Sequence, residues 1–221
     1  MAPDLAVADA AATQAGNVPA AKSAPTRAKS ATRDRVLAVS LELFNERGID
    51  RVTTAEIAEA AGINEGNLYY YFQKKEQLAL ALFEYFAAAA LATADQALGD
   101  PAAPETYAAY NRGWFALMWD YRFFYRDGGA LRAVAPALRE RLIELTRRCQ
   151  ASVRRVFGLM RANGLMRATD EEVEALIANI WIVSSYWMDF RHGGGWVIAP
   201  SDLEWGQRQV DFLCRPYLIG R

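Results

Sequence analysis

Apolar residues recur through most of this chain at the three-to-four-residue spacing of a helix face, and beyond residue 101 no stretch shows the alternation of a half-buried strand. Val36, Leu37, Leu41, Leu43 and Phe44 predict a helix over residues 33–46, ended by Gly48. Leu78, Leu82, Phe83 and Phe86 predict a long one from Lys75 through an alanine-rich segment to Leu98, stopped by Gly99, Asp100 and Pro101. Pro104 suits the start of a helix reaching about Trp119, Tyr121 to Arg126 predict a short one, and Gly128-Gly129 predicts a break. Pro136 opens an amphipathic helix with Leu138, Leu142, Leu145, Val153, Val156 and Leu159, closed by Asn163-Gly164. Thr169-Asp170 caps the next, which bears a broad stripe from Val173 to Met188 and ends at Gly193-Gly194-Gly195. Ser201 with Glu204 predicts a capping box for a last helix through Leu213, terminated by Pro216. The pattern specifies an all-α chain.

Residues 53–72 hold two shorter helices. Thr53 followed by Glu56 is a capping-box signature, and Ile57, Ala58 and Ala61 supply a buried face barely two turns long. Gly62 permits the positive φ of a sharp turn, and Ile63 fills the angle beside it. Asn64 then starts Glu65 to Tyr71, in which Leu68 is the one clearly core-directed residue before Phe72. Consecutive helical positions step about 100° around the axis, so Tyr69, Tyr70 and Tyr71 cannot all pack inward. An outward phenol on such a helix suits a phosphate or a thymine methyl. The arrangement is that of a helix-turn-helix, whose second helix enters the major groove of DNA.

With Thr54, Ile57, Ala58, Ala61, Gly62, Gly66, Leu68, Tyr69, Tyr71, Phe72, Lys75, Glu76 and Leu78 in these places, the segment resembles the DNA-binding domain of tetracycline-repressor-like (TetR-type) transcriptional regulators. The resemblance covers about a fifth of the chain. It implies about nine helices: a three-helix DNA-binding domain over residues 31–76 and a larger helical domain over 77–221 for effector binding and dimerisation. It further implies a homodimeric repressor that binds a palindromic double-stranded operator and releases it when a small molecule binds. Thr53, Thr54, Tyr71 and Lys75 would hold phosphates, while Glu65, Gly66, Asn67, Tyr69 and Tyr70 would lie nearest base edges. Arg33, Asn64 and Lys74 complete the expected DNA-contacting set. Lys74 departs from the family pattern, standing where a capping Ser, Asn or Asp is frequent, which predicts either fraying of the following helix or a lysine recruited to phosphate.

Composition narrows this picture. The formal net charge is −1, and residues 33–76 carry six basic against eight acidic side chains, so any DNA affinity must come from local placement of charge rather than from bulk. Residues 1–30 hold eleven alanines, three prolines and no aromatic, which predicts a solvated tail. Its basic end, Lys22, Arg27 and Lys29, continuing into Arg33 and Arg35, suits an arm on phosphates. Cys149 and Cys214 lack metal or CxxC spacing and His192 is the single histidine, so no metal or cofactor is expected. Asp4 and Asp9 disfavour an export signal, and the longest apolar run, Ile177 to Met188, is too short to span a bilayer; a cytoplasmic location is expected.

No nucleophile elbow, phosphate loop or HExxH is present, which argues against the competing reading, an all-helical carrier or enzyme with a vestigial DNA-binding module. Seven aromatics occupy the twelve positions from 114 to 125, enough to wall an apolar cavity as well as a core. Trp114, Phe115, Met118, Trp119, Phe123, Tyr186 and Trp187 are the candidate walls, with Asn111, Arg122 and Asp189 as polar orienters of a small apolar or aromatic effector. Val173, Leu176, Ile180, Trp181, Leu203, Val210 and Leu213 are the candidate dimer seam.

Overall fold

The computed structural model describes residues 24–95, 104–197 and 199–219. Among them are ten α-helices and no strand: α1 (Ala24–Arg47), α2 (Thr54–Ala60), α3 (Glu65–Tyr71), α4 (Lys75–Asp95), α5 (Pro104–Asp120), α6 (Phe123–Arg126), α7 (Gly128–Val134), α8 (Leu138–Ala162), α9 (Asp170–Gly193) and α10 (Leu203–Cys214). Short 3₁₀ turns at Pro200–Asp202 and Arg215–Tyr217 flank α10. The predicted stop of α4 at residues 98–101, the expected tail over residues 1–23 with Lys22, and the side chain of Arg27 lie outside the described residues.

Four local expectations change. The first helix begins nine residues before Arg33, so the end of the expected tail is helical and carries Lys29 towards the reading helix. Gly128 and Gly129 do not break the chain; they form the first turn of α7, where helical hydrogen bonding has yet to begin and glycine costs least. Ser201 caps nothing. The turn before α10 is instead closed by the Asp202 carboxylate, which accepts from the Ala199 N–H at 2.8 Å. Lys74 does not leave α4 frayed, because the Gln77 side chain accepts the Gln73 N–H at 2.6 Å and the Gln77 N–H bonds the Lys74 carbonyl at 3.0 Å.

Two cores result. Val36, Phe44, Ile57, Leu68, Leu78 and Phe83 join the three-helix head to α4, and this core continues through Phe123, Phe124 and Leu138 into the body. A second core, with Phe115, Phe157, Met188 and Trp187, binds α5, α8, α9 and α10. Gly206 sets the approach of α10, since a Cβ there would lie 2.7 Å from the Phe115 ring. α4 is long and apolar enough to cross a membrane by length and composition, but Leu78, Leu82, Phe83, Phe86 and Ala90 are buried inside the protein, where they serve as core.

Candidate nucleic-acid interface and core cavities

The head is assembled by caps. Thr53 accepts the Glu56 N–H at 3.2 Å and the Glu56 carboxylate accepts the Thr53 N–H at 2.8 Å, so the predicted box forms. Those bonds and the guanidinium of Arg47, 2.6 Å away, hold the Glu56 carboxyl down at about 2, the backbone bond to Thr53 contributing most. Gly62 adopts φ +65° at the turn. Asn64 caps α3 by accepting the Asn67 N–H at 2.7 Å.

These caps leave one face of α3 in solvent. Leu68 is fully buried, whereas Glu65, Gly66, Asn67, Tyr69 and Tyr70 are exposed, Tyr70 by 66%. Tyr71 is half-buried and meets Tyr70 edge to face at 5.1 Å. Glu65 is not a loose carboxylate. Its Oε1 accepts from Thr54 Oγ1 and Tyr69 Oη, both at 3.0 Å, and those hydroxyls lie 3.2 Å apart. One carboxylate oxygen is thus tied down across the two helices, which orients the other.

The basic residues are placed unevenly. Lys29 donates to Tyr70 Oη at 3.3 Å and lies over its ring. Arg33 packs its guanidinium over Phe72. Lys74 is exposed. Lys75, by contrast, donates to the carbonyls of Asp50 at 3.2 Å and Val52 at 2.9 Å, which braces the turn between α1 and α2, and partial burial lowers its pKa. An ammonium has three N–H donors, and these two carbonyls use two of them.

Among the described residues, two cavities adjoin one another in the body. The first, about 70 Å³, lies among α5, α8, α9 and α10 and is walled by Tyr110, Trp114, Phe115, Met118, Phe157 and Val210, among others. The second, about 170 Å³, is bounded by Phe86 and Ala90 of α4, Phe124, Leu145 and Cys149. Trp114, Tyr125, Trp181 and Ser185 belong to both and form the partition. Of the expected walls, Trp114, Phe115, Met118 and Asn111 line the first cavity and Tyr186 the second. Phe123 is instead fully buried against Phe44, and Trp187 packs between Phe115 and Trp205. Asp189 is exposed, while Arg122 stacks on Trp119 and faces a separate cleft with Glu46 and His192. Sequence reasoning missed Tyr110 and Tyr107, which precede the dense aromatic run; their one-turn spacing before Trp114 was the available signal. Burial pushes the Cys149 and Cys214 thiols up to about 11, so neither is a reactive thiolate at neutral pH.

The expected dimer seam divides. Val173, Leu176 and Val210, at 3–4% exposure, are core residues of the chain's own body and offer a second copy nothing. Ile180, Trp181, Leu203 and Leu213 are half-buried. The apolar surface of α9 is on its opposite side, where Ile182, Tyr186 and Phe190 recur every four residues, each more than half exposed.

A capped two-helix unit that presents the open face of its second helix, carried by a long helix into a helical body, defines a helix-turn-helix DNA-binding regulator. The chain matches the TetR family of bacterial regulatory proteins over residues 36–82 and the TetR bacterial transcriptional repressors over residues 83–221. A TetR-family transcriptional regulator of known crystal structure from Marinobacter aquaeolei VT8 is 33% identical and superposes with a TM-score of 0.77 over 86% of this chain and 92% of that one. The tetracycline repressor protein class C of Escherichia coli is 28% identical over 123 residues, 54% of each protein. The transcriptional repressor KstR2 of Rhodococcus jostii strain RHA1 is 43% identical over 53 residues, 24% of this chain. The matched segments span about a quarter of KstR2 and about half of the tetracycline repressor. The chain belongs to the TetR family of bacterial transcriptional regulators, and its work is DNA binding rather than catalysis.

Proposed function

We propose that the chain is a cytoplasmic, ligand-responsive repressor that binds a palindromic operator as a homodimer. The observation that carries the reading is the open face of α3, where Glu65, Asn67, Tyr69 and Tyr70 project together from a helix capped at its start. Tyr71, Lys74 and the remaining donor of Lys75 take phosphates beside it, and Lys29 and Arg33 extend that contact along α1. Thr53 and Thr54 position the face through their bonds to Glu56 and Glu65. The functional division follows the head and body, a DNA-binding unit ending near residue 76 and an effector-binding and dimerising unit after it.

Dimerisation rests on α9. Ala178, Ile182, Tyr186 and Phe190 make an exposed stripe of a length that two antiparallel copies would cover, and Phe212 on α10 is exposed as well. Two heads related by a two-fold axis read half-sites about one helical turn, roughly 34–36 Å, apart or a multiple of it. The effector occupies the body and acts through α4, whose Phe86 and Ala90 bound a cavity while its first turn adjoins α3. It releases DNA by the difference in its affinity for the two head spacings.

The test is an electrophoretic shift with the DNA flanking the protein's own gene, followed by selection from random DNA. A palindromic site recovered by the selection supports the reading. Failure of both to yield a preferred sequence would leave the body as a small-molecule carrier with a relic head.

A further inference from the structure

Two of the four buried side-chain polar atoms without a hydrogen-bond partner among the described residues belong to side chains that line one cavity. They are Tyr110 Oη and Trp114 Nε1, one turn apart on α5, their rings edge to face at 6.1 Å. Tyr110 is only 6% exposed, and burial pushes its phenol pKa up; Trp114 and Ser152 approach the hydroxyl without meeting hydrogen-bond geometry. An unpartnered buried donor is costly, and an indole N–H can only donate. The rest of the wall is mostly apolar, and no Asp, Glu, Lys, Arg or His lines this cavity. Asn111 is already engaged, donating to Asp211 at 3.2 Å.

We propose that the two core cavities are compartments of a single effector site, and that its effector is an elongated neutral molecule bearing a carbonyl-type acceptor at one end. The inference rests on the effector-binding reading of the body. One carbonyl oxygen has two lone pairs and satisfies both Tyr110 and Trp114, whereas a carboxylate at that end would bring a buried charge with no cation to meet it, Arg132 being the charged residue on the second compartment only. The first compartment, at about 70 Å³, is far below the roughly 300 Å³ at which drug-sized pockets begin and holds only the polar end of an elongated molecule. The apolar body of the effector therefore crosses the shared partition of Trp114, Tyr125 and Trp181 into the second compartment. Crossing matters because Phe86 and Ala90 of α4 bound only the second compartment. An effector held at its polar end by α5 then presses with its apolar end on the helix that carries the head.

The experiment uses the full chain and three rods of one skeleton, 4-acetylbiphenyl, 4-ethylbiphenyl and biphenyl-4-carboxylate, with binding followed by tryptophan fluorescence and calorimetry in the absence of DNA. The ketone is expected to bind about tenfold tighter than the ethyl compound, as for donors otherwise left unpaired, and any carboxylate binding is expected to depend on Arg132 of the second compartment and not on Tyr110 or Trp114. Tyr110→Phe keeps the ring and removes only the hydroxyl, whereas Trp114→Phe removes the indole N–H with part of the wall, so the readout is the ratio of ketone to 4-ethylbiphenyl affinity within each variant; each substitution should reduce that ratio and the pair should abolish it. Equal affinity of ketone and ethyl compound for the unaltered protein, as expected if these donors serve only a trapped water, overturns the proposal without recourse to any variant. A ketone advantage that survives the double substitution overturns it too. A ketone that binds as described but leaves the operator complex intact upholds the site's chemistry and counts against the ligand-responsive repressor reading instead.

Discussion

Asn45 and Phe123 tie the DNA-reading head to the body. The Asn45 side chain, 5% exposed near the end of α1, accepts the Phe123 N–H at the start of α6 at 3.1 Å. Its amide also donates to the Asp120 carbonyl at the end of α5 at 2.8 Å. The connection is reciprocal, since Arg126 of α6 donates to the carbonyls of Asn45 at 2.8 Å and Phe44 at 3.1 Å while paired with Asp127. Helix ends from both parts thus satisfy one another's orphan backbone groups.

Replacing Asn45 by Leu keeps the branched outline and number of heavy atoms but leaves the Phe123 N–H and Asp120 carbonyl without their partner. Stability is expected to fall by about 1–3 kcal/mol, the penalty for unsatisfied buried polar groups, read as a lower urea midpoint. An unchanged midpoint would show the bridge to be energetically idle.

Lys75→Ala removes a brace as well as a charge. The loss of two bonds to carbonyls is expected to cost about 1 kcal/mol in thermal or urea unfolding. Operator and random DNA should both bind more weakly, with the salt slope reduced by about one unit if the third donor reaches a phosphate. A stability loss with an unaltered slope would confine Lys75 to the turn.

The bonds from Thr54 and Tyr69 to Glu65 make a prediction about sequence preference. Thr54→Val and Tyr69→Phe free the Glu65 carboxylate, and with Glu65→Gln they should alter the preferred base at the same operator position, by about 1–3 kcal/mol per contact. Asn67→Ala should act at a different position. Selection from random DNA reads both, and identical consensus sequences for all variants would remove these residues from the reading set.

Acid sensitivity of the head follows from Glu56. Its folded-state carboxyl sits at about 2, below its ordinary 4.5, so its contribution is complete above 4.5 and is lost as pH falls towards 2. The parent protein should lose stability across that window more steeply than Glu56→Gln, and parallel acid titrations of the two would count against the assignment.

For the dimer, Ile182→Glu with Phe190→Glu places charge on the exposed stripe of α9. The expected result is a folded monomer by sedimentation that has lost most operator affinity. Val173→Ala, in contrast, should lower stability by about 0.5–1.5 kcal/mol or more without dissociating the protein, because Val173 is internal. Dissociation by the second substitution alone would reverse the assignment.

Local chemistry was legible in the chain itself. The Thr53–Glu56 box, the caps at Asn64 and Thr169, the Gly62 turn and the exposed face of α3 depend on neighbours within a few residues, so spacing and residue type determined them, although the same spacing at Ser201–Glu204 formed no box. The helical class followed for the same reason. What periodicity could not decide is which partner each face meets. Val173 and Ile182 both lie on α9, yet the packing of α8 and α10 buries the first and leaves the second exposed. Lys75 looked free for phosphate until the turn at Asp50–Val52 was folded against it. The aromatic run from Trp114 to Tyr125 announced a large apolar volume, but its division into core, stacked cation and cavity wall required three dimensions. Side-chain type sets the cost of leaving a group unpaired, and only the tertiary arrangement of helices decides which groups, such as Tyr110 Oη and Trp114 Nε1, remain so.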